Sequence, residues 1–191
     1  MGSGNFQKLA IHKSRSNICL LKQQTSRLRM TFKSKYITPD GFDDIVMESD
    51  GKFLTGLRFE QCKIEFDLTE NLPVFAETCR WLDIYFSGRQ PDWLPEYKIE
   101  FPSPFRKEVL EETSKIPFGK TMTYGEIAQR IASRRGIAKM SAQAVGGALG
   151  WNPLCIMIPC HRVIGADGKL TGYGGGIKNK TALLELESTA L

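Results

Sequence analysis

Hydrophobic spacing along the chain switches between two periods. Residues 31–37 alternate imperfectly between apolar and polar, and Pro39-Asp40-Gly41 marks a turn. Ile45-Val46-Met47 and the apolar positions of 53–59 flank Asp50-Gly51, a strong hairpin signal. Val74, Phe75, Cys79, Leu82, Tyr85 and Phe86 then recur at helical spacing until Ser87-Gly88. A small sheet carrying one helix is the predicted outcome. Residues 91–104 read as a linker holding one strand, 97–101.

The second half is predominantly helical. Ser103 caps a helix that Pro104 opens and that Phe105, Val109, Leu110 and Ile116 bury, ending at Pro117-Phe118-Gly119. Thr123 and Glu126 form a capping box for a helix running through Ile127, Ala128 and Ile131 to Arg134-Arg135-Gly136. Ser141 caps the next, with Ala142, Val145, Ala148 and Leu149 on one face. Two short helices joined by a basic turn read as helix-turn-helix. Gly146 and Gly147 cost helix propensity, so with the small Ala148 they are expected to let the backbone approach something closely. Asp167-Gly168 marks a hairpin turn, 170–173 a returning strand, Gly174-Gly175-Gly176 a loop, and 178–187 a terminal helix. The predicted organisation is a basic, largely disordered arm (1–29), an N-terminal domain (30–100) and a C-terminal domain (101–191). The class is α+β.

Charge is unevenly placed. Residues 1–39 hold eight Lys/Arg and no acid, 40–100 hold six basic and fourteen acidic residues, and 101–191 hold twelve basic and seven acidic. The arm and the C-terminal half are thus suited to a polyanion, although solvated surfaces look the same in sequence. Arg130, Arg134, Arg135 and Lys139 fit phosphate contacts or a solvated turn equally well. Five Cys without paired spacing argue against a disulfide framework and for a reducing compartment. No apolar run is long enough to cross a bilayer.

The chemistry concentrates at Ile158-Pro159-Cys160-His161-Arg162-Val163. Pro159 biases Ile158 toward extended backbone, which predicts Cys160 at the end of a short strand. A thiolate is the nucleophilic form of cysteine, and an imidazole nearby can take its proton. A small buried hydrophobe is the plainer alternative for such a Cys.

Taken with Val145-Gly146-Gly147-Ala148, Asn152-Pro153 and Tyr173-Gly174-Gly175-Gly176, this run resembles the O6-alkylguanine-DNA alkyltransferases. The resemblance is strong over about 105–187 and weaker over 30–100. It implies a ribonuclease-H-like N-terminal module without a nuclease site and a winged helix-turn-helix alkyltransferase domain. It further implies single-use DNA repair: the alkyl group of O6-alkylguanine, and of O4-alkylthymine by extension, passes to Cys160, which a thioether then blocks. By the same resemblance His161 takes the thiol proton through a water, Glu187 stands behind the imidazole, and Asn152 braces the cysteine turn. Tyr124 donates to guanine N3. Tyr173 and Gly174 wall the pocket, the carbonyls of Cys160 and Val163 accept from the guanine amine, and Lys180 lies near the loop.

The family also flips its target base out of the duplex and sets the second helix of its helix-turn-helix in the minor groove. Ala142, Gly146, Tyr124, Arg134 and Arg135 are the expected DNA contacts. Gln143 stands where the family has an arginine that fills the gap left by the base; glutamine lacks that charge and stacking plane. Cys155 stands where the family often has proline on the pocket wall, which predicts a roomier pocket. No cofactor and no metal are expected, since Cys19, Cys62 and Cys79 offer no ligand spacing. The implied partner is double-stranded DNA bearing O6-alkylguanine, bound by a monomer with scope for cooperativity. A nuclear address follows only from a DNA substrate and the basic arm. Three further readings remain at this level: a sensor that holds alkylguanine without repairing it, a helix-turn-helix regulator, and a Cys-His protease. Cys160 argues against the first, the lack of base-reading side chains on 142–149 against the second, and the position of His12 in the arm against the third.

Overall fold

The computed structural model describes residues 31–60 and 72–189. The expected basic arm lies outside the described residues, as do Cys19 and Cys62. Strands β1 (Phe32–Tyr36), β2 (Ile45–Ser49) and β3 (Leu54–Phe59) form an antiparallel sheet in that order. Asp50-Gly51 makes the β2–β3 turn, with Gly51 at φ +101, where a side chain would be strained. Ile45 and Met47 alternate inward on β2, as Leu57 and Phe59 do on β3, and the register shift opposite Glu48 and Ser49 turns Leu54 inward as well. Helix α1 (Pro73–Phe86) buries Val74, Phe75, Trp81, Leu82 and Tyr85 in the same core.

The free edge of β3 determines where the cysteine loop sits. Leu57 N–H donates to Pro153 O at 2.8 Å, and Cys155 N–H donates to Leu57 O at 2.9 Å. The same edge takes Tyr97 beside Leu54 in a single bridge. The strand expected over 97–101 is therefore absent: with 153–155 on the edge at Leu57, the 97 segment pairs only at Leu54.

The C-terminal half carries α2 (Pro104–Thr113), the two-residue strand β4 (Met122–Thr123), α3 (Tyr124–Arg135), α4 (Ala142–Leu149), β5 (Val163–Ile164) and α5 (Ile177–Thr189). Ser103, Thr123 and Ser141 cap α2, α3 and α4 with their side chains, and the Thr123–Glu126 capping box is complete. Helices α2, α3 and α4 pack on one another. Strand β5 pairs in parallel with β4.

Two expectations around the cysteine are corrected. Cys160 lies in a 3-10 turn, Cys160–Arg162, and not at a strand end. Pro159 has ψ 61, and Arg162 N–H closes back on Pro159 O at 2.9 Å, so the backbone turns where the sequence suggested extension. Residues 170–173 form no strand. Gly172 is left-handed at φ +51, and the carbonyls of Thr171 and Gly172 accept from side chains instead of a ladder.

Candidate active site

Cys160 lies at a cavity of about 610 Å³ between α4, the start of α3 and the 171–174 loop. Its lining includes Tyr124, Gln143, Gly146, Gly147, Tyr173 and Gly174. The small residues of α4 keep this wall low. A Cβ on Gly147 would meet nothing within 4 Å, and one on Gly146 would only touch the Tyr124 ring at 3.7 Å.

The loop before the cysteine is organised by Asn152. Its Nδ2 donates to Ile158 O at 2.9 Å and to Cys160 Sγ at 3.0 Å, while its Oδ1 accepts from Leu154 N–H at 3.1 Å. Ile156 sits at φ +68, a left-handed conformation that a β-branched residue adopts only under constraint. The Cys160 thiol is held below its usual pKa. A hydrogen bond from Cys155 contributes most, and Asn152, a backbone N–H and the Lys180 charge add to it against the opposing effect of burial. The Cys155 thiol is pushed well up by the same contact and by burial. Cys155 is buried and does not line the cavity, contrary to the expectation of a roomier wall there. Its backbone is fixed to the β3 edge, which seats it behind Cys160.

His161 is fully buried, and its Nε2 lies 2.8 Å from Glu187 Oε1. Burial lowers the imidazole pKa, and Glu187 only partly opposes this. Nδ1 is buried without a protein partner. Glu187 is the most heavily bonded carboxylate of the site. It accepts from Tyr85 Oη at 2.6 Å, from Arg162 Nη2 at 2.8 Å, from Arg162 Nε at 2.9 Å and from Gly119 N–H at 3.0 Å. Burial works against its charge, yet His161 and Arg162 overcome it and hold the carboxyl down to about 2. Arg162 also donates to Ile116 O at 2.7 Å and stacks its guanidinium over Phe118.

Lys180, which sequence alone leaves as a solvated helix lysine or a loop neighbour, is fully buried. Its Nζ donates to Val163 O at 2.6 Å and to Thr171 O at 3.2 Å, and burial lowers its pKa. Tyr124 Oη donates to Thr171 O at 2.9 Å and Gly172 O at 3.2 Å. The chain thus sets a nucleophile and a phenol at one open cavity, while the His161–Glu187 pair and the Lys180 cation lie buried outside its lining, the first next to Cys160 in the chain and the second bonded to Thr171 O.

The comparisons agree with this geometry. Residues 104–189 match the family described as 6-O-methylguanine DNA methyltransferase, DNA binding domain. A methylated-DNA–protein-cysteine methyltransferase of Mycobacterium tuberculosis is 42% identical over 151 residues, covering 76% of this chain and 86% of that one. The chain belongs to the methylated-DNA–protein-cysteine methyltransferase family. The crystal structure of the M. tuberculosis O6-methylguanine methyltransferase superposes with a TM-score of 0.72 at 38% identity, over 85% of this chain and 95% of that one. A second structure of that enzyme, in complex with DNA, gives 0.69 at 37% identity, over 84% and 93%.

Not every residue singled out for this family's chemistry gathers at the cavity. Ala142, Gln143 and Gly146 line it, as do Tyr173 and Gly174. Arg134 and Arg135 do not: Arg135 holds Glu108 through two bonds of 2.9 Å, and Arg134 reaches Glu112 at 3.4 Å. Tyr85, Arg162 and Gly119 were not singled out, although all three bond Glu187. Arg162 had a signal, since it follows His161 directly. Tyr85 looked like one more apolar helix position. Among the described residues no cluster of three or more His, Cys, Asp or Glu is arranged to hold a metal.

Proposed function

We propose that the protein repairs duplex DNA by taking the alkyl group of O6-alkylguanine onto Cys160, once per molecule. The observation that carries this is an acceptor thiol, held below its ordinary pKa, at an open cavity with a buried His161–Glu187 pair next to it. In this reading Cys160 Sγ attacks the alkyl carbon. The S–C bond forms as the C–O6 bond breaks, and the electron pair stays with guanine. A neutral His161 accepts the thiol proton through a water, and its lowered pKa keeps the imidazole neutral for the task. Tyr124, whose phenol burial keeps protonated, gives its proton to N3 of the leaving base. It exchanges the Thr171 and Gly172 carbonyls for the base when it does so. The guanine amine meets the carbonyls of Cys160 and Val163, the latter shared with Lys180. The product thioether is not cleaved by water, so the protein is consumed.

A base within a duplex cannot reach Cys160, so the target must leave the stack. The small-residue face of α4 beside the cavity supports a helix-turn-helix of α3 and α4 lying in the minor groove; in this reading the protein acts as a monomer. The β1–β3 sheet with α1 supports a ribonuclease-H-like N-terminal module. The test is stoichiometry. Duplex carrying O6-methylguanine, titrated with protein, is expected to lose one methyl per protein molecule and then no more. Continued turnover, or binding with no loss of methyl, would contradict the proposal.

A further inference from the structure

One partner of the His161–Glu187 pair comes from outside the half that bears the cysteine. Tyr85 lies in the last turn of α1 and is 1% exposed. Its ring is held without help from the hydroxyl: Trp81 stacks on it at 5.6 Å, and Phe86 and Phe118 meet it edge-on at 5.6 and 5.9 Å. Phenylalanine would fill the same space. The hydroxyl donates to Glu187 Oε1 at 2.6 Å and stands 3.4 Å from His161 Nε2.

We propose that Tyr85 is a positioning residue for alkyl transfer: beside Glu187 it keeps the proton of His161 on Nε2, and by bonding Glu187 it keeps the imidazole neutral, so that Nδ1 stays free as the base. The inference rests on the reading of His161 as the base. A phenol has one proton, and Tyr85 gives it to a carboxylate, the stronger acceptor. Its oxygen can then only accept from Nε2. Glu187 Oε1, already fixed by Arg162, also only accepts. Nε2 therefore faces two oxygens that offer lone pairs, and a neutral imidazole with its proton on Nδ1 would set a third lone pair against them. The opposite tautomer is excluded by geometry, and Nδ1 is the nitrogen that no protein group occupies.

The groups around this imidazole are Glu187 and Lys180 from α5, Arg162 from its own turn, Tyr85 from α1, and the Tyr173 ring from the 171–174 loop. Arg162 and Lys180 disfavour the imidazolium, and Glu187 favours it. Removing the Tyr85 hydroxyl leaves Glu187 with one donor fewer, hence more basic and a stronger partner for a charged imidazole. The His161 pKa then rises, and the acid limb of the rate profile moves to higher pH.

The test uses the full chain, O6-methylguanine duplex and single-turnover rates from about pH 5 to 9, the range in which a histidine base titrates. Wild type, Tyr85→Phe, Glu187→Gln and His161→Gln are compared. Tyr85→Phe is expected to slow transfer about tenfold, the lower end of what an orienting partner of an imidazole is worth. Its acid limb is expected to shift up by about half a unit, the sign required when a bond to a carboxylate is lost. Nitrogen chemical shifts of His161 give a readout that packing alone would not move: the neutral ring stays Nε2-protonated on Glu187 in both proteins, and the imidazolium persists to higher pH in Tyr85→Phe than in wild type. An unchanged rate profile and an unchanged imidazolium titration in Tyr85→Phe, with Glu187→Gln slow, would overturn the role of Tyr85 alone, even if the thermal midpoint fell. Wild-type rates in both Glu187→Gln and His161→Gln would overturn the reading of His161 as base, and this inference with it.

Discussion

At the scale of single residues, the acceptor thiol is made reactive by its neighbours and not by exposure. Cys160 is 6% exposed, and the contact from Cys155 is the largest influence lowering its pKa. Cys155→Ala should therefore raise the midpoint of Cys160 alkylation by iodoacetamide as pH is varied, so that the variant reacts more slowly at neutral pH. An unshifted midpoint would count against it. Glu187 gives a stability prediction with a definite sign. Its folded pKa of about 2 lies below the ordinary carboxylate value, so its stabilisation is fully present above the unfolded pKa. That contribution is lost as pH falls from about 4 toward 2. Glu187→Gln leaves Arg162 buried with its charge unpaired and is expected to cost about 3 kcal/mol in denaturant unfolding at neutral pH. Cys160, His161 and Asn152 stood out in sequence because their motifs carried the resemblance, and Glu187 entered only because the resemblance implied it. Tyr85 and the burial of Lys180 were not, because each depends on an element far away in the chain. No local pattern distinguishes a core tyrosine from one whose hydroxyl meets a carboxylate 102 residues on.

At the scale of elements, capping and periodicity placed the helices well. Ser103, Thr123 and Ser141 all cap where the sequence put them. The misplaced strands fail for different reasons: 153–155 occupies the β3 edge beside 97–101, and in 170–173 a left-handed Gly172 and the carbonyls given to Tyr124 and Lys180 replace a ladder. Helix α4 trades stability for a low wall. Nothing lies within 4 Å of a Cβ at Gly147, so Gly147→Ala should raise stability by about 0.5–1 kcal/mol through helix propensity. Thermal melting checks that gain, and a titration with duplex DNA checks the expected accompanying loss of affinity. Gln143, exposed at the start of the same helix and lining the cavity, is the place to restore charge. Gln143→Arg is expected to bind duplex more tightly at low salt and to steepen the salt dependence by about one counterion. An unchanged slope would show that this position does not approach the phosphates.

At the scale of the whole molecule, the two halves meet where the chemistry is. The β3 edge holds Pro153 and Cys155 by backbone bonds, α1 supplies Tyr85, and α5 supplies Glu187 and Lys180. The sequence divides into an N-terminal domain over 30–100 and a C-terminal domain over 101–191. Their interdependence was not legible, since a lone strand edge carries no marker of what will occupy it. A fragment of 101–189 lacks both the β3 edge and Tyr85. It is expected to transfer alkyl groups at least tenfold more slowly than the full chain, by analogy with the loss of an orienting partner. Equal rates would show that the N-terminal half serves only to stabilise the fold.

The most direct test of the central claim is the intact mass of the protein after incubation with O6-methylguanine duplex. The account predicts a gain of one CH2, mapping to the peptide that holds Cys160 and absent from Cys160→Ala. A protein that binds the duplex at saturation and keeps its original mass, or one whose gain persists in Cys160→Ala, would contradict it.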